Sequence, residues 1–211
     1  MAFLFYHFLR NPDTLIAAQK EVDDVLGDSA LELEHLPKLK YIKASIYEAL
    51  RYMGPIGLIV KRAKQDTTLA GKYKVDTKSQ LICNLKPFHH DPKVWGDDAD
   101  VFRPERMLNG GYESLPPNAF KPFGDGERAC IGRAFTEQEM IMAVTLILQR
   151  FQVEMADPSY SFRESQTLIV YTSADMVTRH QEYTHSKARR LQNQSKKEAW
   201  EESNGWDTRR C

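Results

Sequence analysis

KPFGDGERACIG, residues 121–132, places three glycines, one arginine and Cys130 within twelve positions. Two chemistries compete for it. Gly124-Asp125-Gly126-Glu127-Arg128-Ala129 matches the G-x-G-x-x-G/A pattern of a dinucleotide-binding turn, whereas Cys130 suggests a metal ligand or a nucleophile. A dinucleotide turn needs a β-strand running straight into its first glycine, so that pyrophosphate meets the following helix N-terminus. The approach here is Leu115-Pro116-Pro117-Asn118-Ala119-Phe120-Lys121-Pro122, and no central strand accommodates prolines at that density. The glycine match therefore reads as fortuitous.

The residues after Cys130 favour the ligand reading. Thr136 to Phe151 carries the apolar run Met140-Ile-Met-Ala-Val-Thr-Leu-Ile-Leu148, which predicts a helix buried all round. Unpaired N–H groups and the positive dipole end at its start favour a thiolate at Cys130. No second cysteine is near, and His89 and His90 are too close in sequence to chelate together, so a tetrahedral protein site is hard to build. Haem needs one axial ligand from this side, since the porphyrin supplies four. His89 reads as a loop or propionate-side hydrogen-bonding residue and not an iron ligand. Glycines permit the close approach and positive φ that a flat ring over a loop demands. Gly126 would let the turn pass beneath the ring and Gly132 would let the helix start pack against it. Phe123 could cover the sulfur, and Arg128 could reach a propionate through a charge-assisted bond.

Working outward, the 211-residue chain is long enough for one sizeable core, taken here as a domain over 1–177 and a polar, disordered tail over 178–211. Lys+Arg and Asp+Glu both number 29, so no global field points to nucleic acid. The three cysteines, Cys83, Cys130 and Cys211, lack any C-x-x-C pair, which argues against a disulfide framework and for a reducing, cytoplasmic setting. Cys83 reads as a core filler in a strand. MAFLFYHFLR is too short to span a membrane, and it begins inside an apolar helical pattern with no capping residue ahead of it. That pattern predicts a chain with something missing upstream.

Helices are expected over 13–26 and 38–52, with Glu48 and Arg51 three residues apart on the second. Short β-type runs follow at 56–60, 67–69 and 80–85. Residues 86–122 hold six prolines and read as a long functional loop with one short helix near Ala99 to Phe102. A final strand pair is expected from 151–155 and 167–171.

Phe123-Gly124-x-Gly126-x-Arg128-x-Cys130-x-Gly132 resembles the haem-thiolate signature of the cytochrome P-450 monooxygenases at every fixed position. Glu48-Ala49-Leu50-Arg51 resembles the family's E-x-x-R helix. Phe102-Arg103-Pro104-Glu105-Arg106-Met107 resembles its meander motif, with Met107 where the family usually has Phe. The likeness runs from about residue 2 to 171. Its texture is closest to soluble fatty-acid hydroxylases whose P-450 domain is fused to a flavin reductase.

The resemblance implies a mainly α fold with small antiparallel β sheets, the C-terminal, proximal half of the P-450 architecture. It implies haem b on Cys130, a buried cluster of Glu48, Arg51 and Arg106 that locks the meander beneath the haem, and oxygen insertion into a C–H bond of a fatty acid or similar apolar small molecule. Electrons would come from a flavoprotein reductase, so FAD, FMN and NADPH are expected only through a partner outside this chain. The family's oxygen-activating residues lie on a helix of which MAFLFYHFLRNP resembles only the end, so no catalytic residue is expected in this chain and the loop residues are expected to bind cofactor. A truncated, non-catalytic remnant that keeps only haem-binding or interaction capacity is the rival, and a nucleotide-binding module is disfavoured.

Overall fold

The computed structural model describes residues 1–160 and, by backbone, three strands at Glu164–Gln166, Val170–Thr172 and Thr178–Glu182. Three helices open the chain: α1 (Ala2–Arg10), α2 (Pro12–Val25) and α3 (Lys40–Tyr52). Pro12 occupies the first turn of α2, where its missing N–H costs nothing, and Gly27 at φ +55° lets the chain leave the helix. Leu39 ahead of α3 offers no capping side chain. Glu21 of α2 substitutes, its carboxylate accepting the N–H groups of Tyr41 at 2.7 Å and Ile42 at 2.9 Å.

The core forms where α1, α2, α3 and α6 (Arg133–Arg150) meet, from Leu4, Phe8, Ala18, Val22, Ile42, Ile46, Val144 and Leu148. Helix α3 is buried without a break from Ala44 to Ala49. The expectation of a helix buried all round fails for α6. Ile141, Val144, Thr145, Leu148 and Gln149 are buried at helical spacing, while Met142 faces solvent, because α2 and α3 pack on one side of it.

The β regions are four antiparallel pairs. Strand β1 (Leu58–Arg62) pairs with β4 (Gln80–Asn84), placing Ile59 opposite Cys83; Cys83 is exposed, against its expected role as core filler. Between them β2 (Thr67–Leu69) pairs with β3 (Tyr73–Val75), a strand that the sequence reading did not include. Strand β5 (Phe151–Met155) pairs with β8 (Thr178–Glu182), and β6 (Glu164–Gln166) with β7 (Val170–Thr172). The expected pairing of 151–155 with 167–171 is thus replaced by a β6–β7 pair of consecutive strands and a long-range β5–β8 pair, and 178–182, assigned to the tail, is a strand. The remainder of that tail, with Cys211, lies outside the described residues. Among the described residues no helix is long and apolar enough to cross a membrane.

The proline-rich stretch contains α4 (Leu85–His89), α5 (Pro92–Trp95) and a 3-10 turn at Pro104–Met107. The short helix expected near Ala99 to Phe102 is absent, because arginines take the carbonyls a helix would use. Arg51, fully buried, donates from Nε and Nη2 to the two Glu48 carboxylate oxygens, each at 2.8 Å. It donates from Nη1 to the carbonyls of His89 and Ala99, both at 2.8 Å, and from Nη2 to Val101 at 3.2 Å. Arg106 donates from Nε to Glu48 Oε1 at 2.9 Å and from its other nitrogens to Trp95, Asp98 and Val101. Two guanidinium forks thereby satisfy buried carbonyls of an irregular segment.

Two buried histidines flank this cluster. Burial, then the nearby Arg51 charge, pull His7 from 6.5 to about 4, and the same causes with His90 pull His89 to about 4. Both are neutral in the fold, and the unfolded chain protonates first, so their contribution is full above pH 6.5 and drains away as pH falls to about 4. We expect each to withdraw about 3 kcal/mol across that window, read from urea midpoints at pH 7, 5.5 and 4.5. Replacing both by Phe should flatten the slope. Arg51→Lys should cost about 3–5 kcal/mol, since one ammonium cannot serve five buried acceptors, whereas Glu137→Gln, which breaks the partly exposed Arg133 pair, should cost under about 1 kcal/mol. Equal costs in denaturant titration would remove the cluster from its central role.

Candidate functional site

Residues 121–132 are built by turns. The Gly124 N–H donates to Lys121 O at 3.1 Å, and a 3-10 turn at Gly126–Arg128 is closed by the Ala129 N–H on Gly126 O at 3.0 Å. The Cys130 N–H returns to Phe123 O at 2.8 Å, so the loop doubles back and the cysteine is aligned beside the phenylalanine. Gly124 and Gly126 sit at φ +74° and +69°, the left-handed region where a side chain would be strained. Gly132 differs, at φ −84°, capping α6.

The loop faces a cavity of 910 Å³. One wall is the loop itself, with Phe123, Gly124, Arg128 and Cys130; the others come from the start of α1, from α3 (Ala49, Leu50) and Met53 just past its end, from Ile56 and β1, and from Met140 of α6. The lining is mainly apolar, and its basic side chains are Lys61 and Arg128. Cys130 is a free, exposed thiol close to the N-terminus of α6. Phe123 lies under the Arg133 guanidinium, 5.5 Å from its ring centre, and Arg133 is itself held by Glu137 at 2.8 Å and Tyr112 at 3.2 Å. Hydrogen bonds to Glu137 and Tyr112 raise the Arg133 pKa, fixing its charge.

Glu48, Arg51 and Arg106 are brought together behind this wall, and Ala49 and Leu50 of the same helix face the cavity. Asp125 pairs with Lys121 at 2.8 Å, which holds its carboxyl below the usual range, and its carbonyl accepts from Lys61 at 3.5 Å. Lys61 escaped the sequence reading. The signal available was a basic residue closing the apolar run Leu58-Ile59-Val60, but its place in the same cavity lining as Arg128 depends on tertiary packing. No strand feeds Gly124, and α6 starts at Arg133, beyond the nucleotide-like pattern, so a dinucleotide turn does not form.

The lining fits a haem. Among the described residues no cluster of three His, Cys, Asp or Glu could hold a metal, so one sulfur suits an ion that brings its other donors. A Cβ at Gly126 would meet nothing within 4 Å, and one at Gly132 only Thr136 Oγ1 at 3.8 Å and Cys130 Sγ at 3.9 Å. Glycine at 132 thus leaves the surface beside the sulfur free of a side chain. The charged lining residues are Lys61, Arg128, Asp125 and Glu139, and with Asp125 paired to Lys121, Lys61 and Arg128 are the cations available to a flat apolar ring with two carboxylates.

Comparison with known proteins agrees. The sequence model of the cytochrome P450 family matches residues 1–178. A bifunctional cytochrome P450/NADPH–P450 reductase of Acremonium egyptiacum is 43% identical over 176 residues, covering 81% of this chain and 16% of that protein. A self-sufficient cytochrome P450 monooxygenase of Oidiodendron maius is 44% identical over 171 residues, with the same 81% and 16% coverage. The crystal structure of a mutant cytochrome P450DA heme domain superposes with a TM-score of 0.80 at 34% identity, over 87% of this chain and 41% of that one. The chain thus spans 16% of the length of these curated relatives. Haem is the cofactor of the family, and its members are oxidoreductases. With the fold, the loop and these matches in agreement, the chain belongs to the cytochrome P450 family.

Proposed function

We propose that this chain is the haem-ligating part of a monooxygenase that inserts one atom of O2 into a C–H bond of a fatty acid or similar apolar molecule. The second oxygen atom leaves as water, with two electrons drawn from a flavoprotein reductase and two protons from solvent. The observation that carries this reading is the placement of the Cys130 sulfur, Arg128 and Lys61 around one apolar cavity. Bound there, the haem supplies the one-electron and dioxygen chemistry.

The chain's own residues have separable tasks. Cys130 would supply the sulfur that holds the haem iron, and its N–H bond to Phe123 O fixes its place in the loop. Arg128 and Lys61, the basic residues of the cavity lining, would hold the carboxylates of the haem through charge-assisted bonds. Ala49, Leu50, Met53 and Ile56 keep water from the ring and present an apolar edge to substrate. Phe123, held beneath Arg133 and tied through its carbonyl to the Cys130 N–H, would cover the sulfur side of the bound ring. Fusion of the Acremonium relative to an NADPH–P450 reductase supports a reductase as electron donor. Free Cys83 and Cys130 support a reducing, cytoplasmic setting.

The test is the ferrous carbon monoxide spectrum of the full chain supplied with haem. Thiolate ligation should appear in the parent and vanish in Cys130→Ser; no thiolate signal in the parent would overturn the proposal. Arg128→Gln should keep the thiolate signal yet release haem to apomyoglobin roughly tenfold faster, the loss expected for one charge-assisted bond. Unchanged release would remove Arg128 from carboxylate binding.

A further inference from the structure

His89 makes two hydrogen bonds in opposite directions. It is 3% exposed, at the end of α4. Its main-chain carbonyl accepts from Arg51 Nη1 at 2.8 Å, which fastens it to the buried arginine cluster. Its Nε2 accepts the N–H of Lys121 at 3.1 Å. Because the amide can only donate, Nε2 must carry the lone pair and Nδ1 the proton, so the neutral imidazole is required in one tautomer.

Lys121 is the first residue of the cysteine loop's turns. Its carbonyl receives the Gly124 N–H at 3.1 Å, and the intervening Phe123 carbonyl receives the Cys130 N–H at 2.8 Å. A continuous hydrogen-bonded path therefore runs from Glu48 and Arg51 through His89 and Lys121 to the cysteine. The ring is also wedged against Phe120, 5.7 Å between centres, and Phe120 touches Tyr47, Tyr112 and Trp95. The imidazole is thus fixed on both faces of the path. Residues 124 to 132 lack such support, being mostly exposed, so the height of the loop is set where it enters.

We propose that His89 is a positioning residue that ties the cysteine loop to the buried arginine cluster and thereby sets where Cys130 presents its sulfur. This rests on the reading of Cys130 as haem ligand. A phenylalanine at 89 keeps the ring and removes the acceptor, while a glutamine replaces the acceptor near the Nε2 position. The Lys121 amide of the haem-free chain should exchange with deuterium faster in His89→Phe by on the order of five- to tenfold, the loss of one buried hydrogen bond. Its unfolding midpoint should stay within the folded range, and His89→Gln should restore protection in part. With haem supplied, His89→Phe should convert part of the ferrous carbon monoxide spectrum from thiolate to thiol ligation, and His89→Gln should reverse much of that.

Unchanged Lys121 exchange in a folded His89→Phe would overturn the tie, as would faster exchange with an unaltered thiolate fraction for its effect on the sulfur. If the parent chain takes up no haem, the proposed function fails by itself and Lys121 exchange still decides whether the tie exists. Should His89→Phe unfold, the parent serves: acidification protonates His89, which Arg51, His90 and Lys121 surround, and turns Nε2 into a donor facing a donor. Lys121 protection should then disappear in step with the His89 ring titration and ahead of the α3 amides. Protection that survives His89 protonation would refute the tie.

Discussion

A guanidinium with no access to water is tolerable only when every N–H has an acceptor and a carboxylate balances the charge. Arg51 meets both conditions with five donors on Glu48, His89, Ala99 and Val101. Glu48 in turn accepts from Arg51, Arg106 and the Arg103 N–H. Glu48 balances the buried charge of Arg51 and is shared with Arg106, while Asp98, on the side nearer solvent, pairs with both Arg106 and Arg103, which lower its carboxyl. Because the acceptors belong to segments far apart in sequence, forming this one cluster fixes α3, the end of α4 and the stretch from Trp95 to Arg106 together.

That economy explains how a proline-rich segment is held in place. Regular structure satisfies its carbonyls internally, but Trp95, Asp98, Ala99 and Val101 hand theirs to arginine side chains. The Trp95 indole adds a face 5.2 Å from the Arg51 guanidinium carbon, a further favourable contact for a desolvated cation. The carbonyls of this irregular backbone are consequently satisfied without a helix.

These dependencies were unevenly legible in the sequence. Helices α2 and α3 are plain because Ala18 and Val22, or Ile42, Ile46 and Ala49, recur at a local period that burial then reads out. The turns of the cysteine loop are equally plain, since Gly124, Gly126 and Cys130 lie close together in sequence and the two glycines take the left-handed backbone their turns need. The pairing of β5 with β8 was missed because it joins Phe151 to Glu182 across a long separation, with a polar partner strand, Thr178–Glu182, that carries no apolar alternation. The false helix near Ala99 to Phe102 has the same origin: its carbonyls were claimed by Arg51 and Arg106, residues whose reach no local window contains.

A ligand loop must be open on the face its ligand covers, so it cannot be ordered by burying its own side chains. Glu127, Arg128, Ala129, Cys130 and Ile131 are all exposed, and hydrophobic burial contributes little to their placement. Order there comes from turn geometry, with Gly124 and Gly126 in the left-handed region, and from hydrogen bonds at the two ends: Cys130 on Phe123, Thr136 on Gly132, and Lys121 on His89. Each of the first two bonds is internal to the loop and the helix it enters. Only the third reaches the buried cluster, which is why the rigidity assembled around Arg51 arrives at the cysteine through a neutral imidazole.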